Sequence, residues 1–247
     1  MKHVRRRSAW ALLSLAVTAT AVAQTHRWTI GMSQCNLGEP WRVQMNADIR
    51  KAAESVPEAR VIFKDAQNDA LRQCAHIDEF ARAHVDLIIV SPKEAAPLTR
   101  PVRDAYRGGI PVIVLDRRVV GDEYTVFIGA DNHRIGRAAG RWIAAKTGGK
   151  GKVVELKGLM TSTPGQDRHA GFREGIAGLK LEVVFEADMK WLEPEARKEM
   201  ESALARFERI DVVYAHNDPG AHGAWLAARA AVREREITFV GIDALAH

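Results

Sequence analysis

The stretch IPVIVLDRR, residues 110–118, decides the fold class of this 247-residue chain. Its centre, Val112–Leu115, is an unbroken, mostly β-branched apolar run, the composition of a strand buried on both faces of a parallel sheet. Directly beyond it stand Asp116, Arg117 and Arg118. In open α/β sheets ligands bind outside the carboxyl ends of the strands. A carboxylate beside a guanidinium at such an end can accept and donate hydrogen bonds toward a neutral polyhydroxylated molecule. From this stretch alone a solvated charge cluster reads as well; recurrence of the pattern tips the balance.

Working outward, short apolar runs alternate with longer helical patterns. Toward the N-terminus, strands are predicted at residues 28–32, 60–63 and 87–90, and helices at 41–55, 69–83 and 95–107. Gly108-Gly109 closes the last helix where a left-handed cap is needed. Toward the C-terminus, a short strand at 126–128 precedes a second series of helices at 133–146, 166–177, 194–208 and 220–233. Strands at 153–156, 181–185, 212–215 and 238–241 alternate with these. Two successive βα series predict an α/β protein of two doubly wound parallel-sheet lobes, residues 24–129 and 130–247.

The first 23 residues stand apart. Lys2, Arg5, Arg6 and Arg7 precede an apolar run that ends in Ala21-Val22-Ala23, the pattern of a cleavable signal peptide and hence of export to the periplasm. Removing these residues takes the formal net charge from +5 to +1, so the basic balance belongs to the export signal and gives no argument for nucleic acid. Cys35 and Cys74 can form a disulfide after export or remain buried thiols; spacing alone leaves both open. Neither has a histidine at zinc-ligand spacing, and no metal or cofactor is expected. GGKGK at residues 148–152 precedes a strand where a phosphate loop would follow one. GxGxxG and GxSxG are missing, and no acid/base pair declares itself, so an enzyme is not expected.

Residues just beyond the predicted strands form the candidate site. They are Glu39, Trp41 and Arg42 after the first strand, Asp116 and Arg117 after the fourth, and Asp131 after the fifth. The second series adds Arg168, Trp191, Asn217 and Asp243. Carboxylates, amides and guanidinium groups suit paired hydrogen bonds to adjacent hydroxyls, and tryptophan suits the C–H face of a sugar ring. Plainer roles fit several of them. Asp131 and Asn217 both stand where a helix cap belongs, and either tryptophan can be core.

The segments IGMSQCNLGEPWR, DLIIVSPKEAAPL, IPVIVLDRR, IGADN, DRHAGFREGI, VYAHNDPGAHGA and FVGID together resemble the type I periplasmic binding proteins. These are the sugar-binding components of ABC transporters, and the likeness is strongest to the galactofuranose- and ribose-binding group. The resemblance implies that Glu39, Trp41 and Arg42 form a first-lobe binding loop and that Asp116 and Arg117 are a strand-end pair. It also implies ligand contacts from Arg168 in RxxGF, from Trp191 at an aromatic position, from Asn217 in AHND and from Asp243 in GID. The expected function is an exported, monomeric protein that captures a monosaccharide between its lobes and delivers it to an ABC permease. The alternative is the periplasmic sugar-sensing input domain of a membrane receptor. Because only Asp243 to His247 follow the last strand, where a covering helix belongs, C-terminal segments are expected to be missing from this chain.

Overall fold

The computed structural model describes residues 27–245; the expected signal peptide lies outside the described residues. Strands β1 (Trp28–Gln34), β2 (Ala59–Asp65), β3 (Leu87–Ser91), β4 (Val112–Leu115) and β5 (Val126–Ile128) form one sheet. Their order is β2-β1-β3-β4-β5 and every pairing is parallel. Helices α1 (Pro40–Glu54), α2 (Ala70–Arg82) and α3 (Ala95–Arg107) connect the first four strands.

After α4 (Asn132–Thr147), strands β6 (Lys150–Lys157), β7 (Lys180–Asp188), β8 (Val212–Ala215) and β9 (Thr238–Val240) make a second parallel sheet, ordered β7-β6-β8-β9. Helices α5 (Thr163–Gly175), α6 (Glu193–Arg206) and α7 (Asp218–Ala230) join its strands. Each sheet reverses its winding once, between β1 and β3 and between β6 and β8. Connections leaving such a switch point go to opposite faces, which opens a crevice at the carboxyl ends of those strands.

The second sheet is covered on both faces. Val212 and Tyr214 of β8 pack with Ile143 and Phe172 on one side, while Val213 and Ala215 pack with Met200 and Ala224 on the other. The first sheet departs from the expectation drawn from Val112–Leu115. Val112 and Val114 are buried against Ile77, Phe80, Leu98 and Val102. Ile113 and Leu115, on the opposite face, are only partly covered, because there α1 alone lies over the sheet and an apolar groove remains beside Ile30, Val61 and Ile89. The cap of α3 is as expected, with a left-handed glycine in the Gly108-Gly109 pair. Its closing residue Gly108 has φ −72°, and the left-handed position falls one later, at Gly109 with φ +89°.

Helices α4 and α5 touch backbone to backbone. A Cβ built on Gly136 would stand 2.1 Å from the Arg168 carbonyl oxygen, and one on Gly171 would stand 2.0 Å from that of His133. Only glycine permits this approach. It also fixes how far Arg168 stands from the start of α4.

Candidate functional site

The first-lobe wall grows from the ends of β1, β3 and β4. Helix α1 begins with Pro40 in its first turn, where a missing N–H costs little. Glu39 just before it accepts a hydrogen bond from Asn36 Nδ2 (2.8 Å) and lies 3.7 Å from Arg42 Nε and 3.8 Å from Arg117. Arg42, in the first turn of α1, donates to Ser91 Oγ at the end of β3 (2.8 Å) and pairs with Asp116 at 2.8 Å. Asp116 itself has φ +64°, a left-handed turn that aspartate tolerates. Burial works to raise the pKa of Asp116, but Arg42 and Arg117 outweigh it and hold the carboxyl below its ordinary range. Arg117 is pushed down, first by burial and then by the charge of Arg42.

The second-lobe wall comes from α5 and the ends of β7, β8 and β9. Arg168 is held on three sides. Its Nε donates to Asn132 Oδ1 (2.8 Å), one terminal nitrogen donates to the His216 carbonyl, and the other pairs with Asp243 at 3.3 Å. Trp191 is buried, has φ +69°, and passes so close to Gly158 that a Cβ there would stand 2.2 Å from the indole. Asn217 uses both ends of its amide: Oδ1 accepts from Gly220 N–H (2.9 Å) as the cap of α7, and Nδ2 donates to the Trp191 carbonyl (3.0 Å). Burial pushes the Asp243 carboxyl up to about 6, with Arg168 opposing.

The two walls meet. Ala95 N–H donates to the Thr161 carbonyl (3.0 Å), and Arg118 N–H donates to Thr163 Oγ1 (2.9 Å). The guanidinium carbons of Arg117 and Arg168 lie 5.4 and 5.5 Å from the centre of the Trp191 ring, within cation–π range. Between the walls is a narrow cleft whose cavity volume is about 30 Å³. Three buried donors at this cleft, Arg42 Nε, Arg117 Nε and Trp191 Nε1, have no hydrogen-bond partner among the described residues. Three guanidinium groups (Arg42, Arg117, Arg168) and three carboxylates (Glu39, Asp116, Asp243) line it, so its formal charge balances.

Nine of the ten residues singled out from the sequence line this cleft. Asp131 does not. It is exposed and accepts from Arg134 N–H (2.9 Å) as the cap of α4, because β5 ends only three residues earlier and the helix start claims its carboxylate. Its buried neighbour Asn132 is the residue that reaches Arg168. Trp41 is at the mouth, 40% exposed. Trp191, expected to face a sugar ring, has the Arg117 and Arg168 guanidinium groups against its ring. Ser91, outside the set singled out from the sequence, holds Arg42 from the carboxyl end of β3, and that strand-end position is the signal that finds it. Pro164 and Pro219, in the first turns of α5 and α7, also line the cleft.

Behind the second-lobe wall Glu155 is wholly buried in β6. Burial raises the pKa of its carboxyl, but hydrogen bonds from His216 and His169 outweigh this and leave it lowered. Glu155, His169 and Glu186 bring possible metal-ligand atoms within 4.8 Å of one another. Arg173 already pairs with both carboxylates and Lys157 with Glu186 (2.9 Å), which supplies the charge a cation would bring. Cys35 and Cys74 are both free thiols.

Comparison with known proteins agrees with this architecture. The periplasmic binding protein domain family matches residues 30–247. The ribose import binding protein RbsB of Bacillus subtilis (strain 168) is 31% identical over 216 residues, covering 87% of this chain and 70% of that protein. A solved fructose-binding periplasmic domain of a hybrid two-component system superposes with a TM-score of 0.86 at 44% identity, covering 89% of this chain and 73% of the other. A solute-binding protein of an ABC transporter from Bacillus halodurans C-125, with bound myo-inositol, gives 0.85 at 30%, covering 90% and 77%. The chain therefore belongs to the periplasmic binding protein domain family, as a sugar-binding member of its type I group.

Proposed function

We propose that this chain is an exported solute-binding protein whose lobes, residues 24–129 and 130–247, close over one neutral monosaccharide and present it to an ABC permease. Recognition is the whole of its chemistry, with no bond made or broken. The observation that supports this reading best is a set of three buried donors at the cleft, Arg42 Nε, Arg117 Nε and Trp191 Nε1, that have charged or aromatic neighbours but no hydrogen-bond acceptor among the described residues. Leaving a buried donor unpaired costs about 1–3 kcal/mol, and hydroxyl or ring oxygens would supply the acceptors. Balanced charge supports a neutral ligand over an acid or a phosphate, either of which would leave the cleft with excess negative charge. Glu39, Trp41, Arg42, Asp116, Arg117, Arg168, Trp191, Asn217 and Asp243 are the proposed ligand-binding set, with Asn217 acting in part through Trp191. Calorimetric titration with neutral pentoses and hexoses and with their uronic acids tests it. Neutral sugars should bind and the acids should not; the reverse preference would overturn the reading.

A second reading has a specific observation behind it. The neighbour at 44% identity is the periplasmic domain of a two-component system, so sensing is the competing assignment. The reading frame beyond His247 separates the two. A stop codon closely following a binding-protein ending favours transport, whereas a membrane span and kinase-like region favours sensing.

A further inference from the structure

Two residues of the proposed cleft each have a histidine as chain neighbour: His169 follows Arg168, and His216 precedes Asn217. Both histidines turn away from the cleft toward one carboxylate. His169 Nδ1 lies 2.9 and 3.1 Å from the two Glu155 oxygens, and His216 Nε2 lies 3.0 Å from Oε1. An ionised carboxylate only accepts, so each ring nitrogen facing it carries the proton. The remaining nitrogen of His216, Nδ1, is buried with no partner among the described residues, as suits a neutral imidazole in that tautomer. The His216 carbonyl in turn receives a terminal nitrogen of Arg168. The bonds close a ring: Glu155 to the His169 side chain, along the chain to Arg168, across to the His216 carbonyl, and through the His216 ring back to Glu155.

We infer that Glu155 is a positioning residue for sugar recognition, which through His169 and His216 fixes where Arg168 stands in the cleft. The inference rests on the proposed sugar-binding function for its consequence, though not for its geometry. The carboxylate is wholly buried, while α5 and the β8–α7 turn are separate elements that it ties together. Without it two imidazole N–H groups lose their acceptor, and the His216 carbonyl that receives Arg168 keeps only the backbone bond of His216 N–H to Leu156 and the flanking turn to hold its direction. Arg168 would then be held by Asn132, Asp243 and the Trp191 ring alone.

The test reads Arg168 directly. In the full chain, the Arg168 Nε–H resonance, assigned by its disappearance in R168K, should exchange slowly with solvent. In E155A this protection should be lost while backbone amides of β6 and β8 stay protected; in E155Q, which keeps an acceptor for His216, it should return. Affinity for the sugar that binds best among D-ribose, D-fructose, L-arabinose and myo-inositol should fall about tenfold in E155A and within about threefold in E155Q. Unchanged Arg168 protection in a folded E155A overturns the inference. Should E155A not fold, H169A decides, since His169 is partly exposed and touches nothing in the cleft: weaker Arg168 protection supports the inference, and wild-type protection overturns it. If no sugar binds the wild-type protein, the proposed function fails, and the resonance still judges Glu155.

Discussion

Arg117 and Asp243 show how the cleft trades stability for recognition. Burial and the neighbouring Arg42 disfavour the charge on Arg117 in the folded state, so its removal takes away little electrostatic stabilisation. Arg117→Ala is therefore expected to melt near the wild-type temperature yet bind sugar about 1.5–3 kcal/mol more weakly, the scale of a hydrogen bond to a charged group. Paired melting and titration curves check this. Asp243 carries the opposite sign of an ordinary salt-bridged acid. Its folded pKa, about 6, lies above the unfolded value, so the folded state holds the extra proton and stability falls as pH rises between the two. Asp243→Asn should consequently stabilise the protein by up to about 3 kcal/mol at pH 8, with the gain gone near pH 4. Melting both proteins across that range tests it, and a gain independent of pH would refute the assignment. Asp116, Trp191 and Asp243 all have positive φ, at +64°, +69° and +104°. Such backbone costs on the order of 1–3 kcal/mol per residue and gathers at ligand sites. Nothing in the residue types announces it for a tryptophan.

The strands, the helices and the strand-end positions were legible because apolar runs and 3.6-residue patterns report elements directly. Val112–Leu115, Val126–Ile128 and Val212–Ala215 have the same limits in sequence and structure. Strands β6 and β7 run longer than their apolar cores, to Lys150–Lys157 and Lys180–Asp188, because pairing continues beyond the apolar run at both ends. Pattern also hides partners. Glu155 reads as a polar interruption in VVEL until two histidines from distant elements are seen to bond it. Asp131 reads as a strand-end acid, and a helix that starts at once takes its carboxylate. The close pass of β6's end beneath Trp191 is equally invisible in sequence, and it supplies a test. Gly158→Ala places a methyl 2.2 Å from a rigid indole, so the ring must move. That substitution should weaken sugar binding about tenfold or more while costing about 1–3 kcal/mol of stability, the range for overpacking. Comparing its titration with its melting curve separates the two effects.

On the scale of the whole molecule, two sheets built in the same way set their carboxyl edges against each other and put balanced charge between them. Arg117 of the first half stands over Trp191 of the second, so the proposed ligand contacts and the contacts between the halves share residues. A ligand that bridges the lobes should then stabilise the closed, folded form in proportion to its concentration over its dissociation constant. The first sheet is covered on one face by α1 alone, whereas the second is covered on both faces. The most direct measurement is the thermal midpoint of the protein with D-ribose, D-fructose, L-arabinose and myo-inositol, in wild type and in Arg117→Ala. The account predicts that one of these sugars raises the wild-type midpoint by about 5–10 °C at about a hundredfold excess over its dissociation constant. The same sugar concentration should raise the variant's midpoint far less. An equal rise in both proteins would contradict the assignment of the cleft, and no rise in wild type with any of the four would contradict sugar binding by this chain.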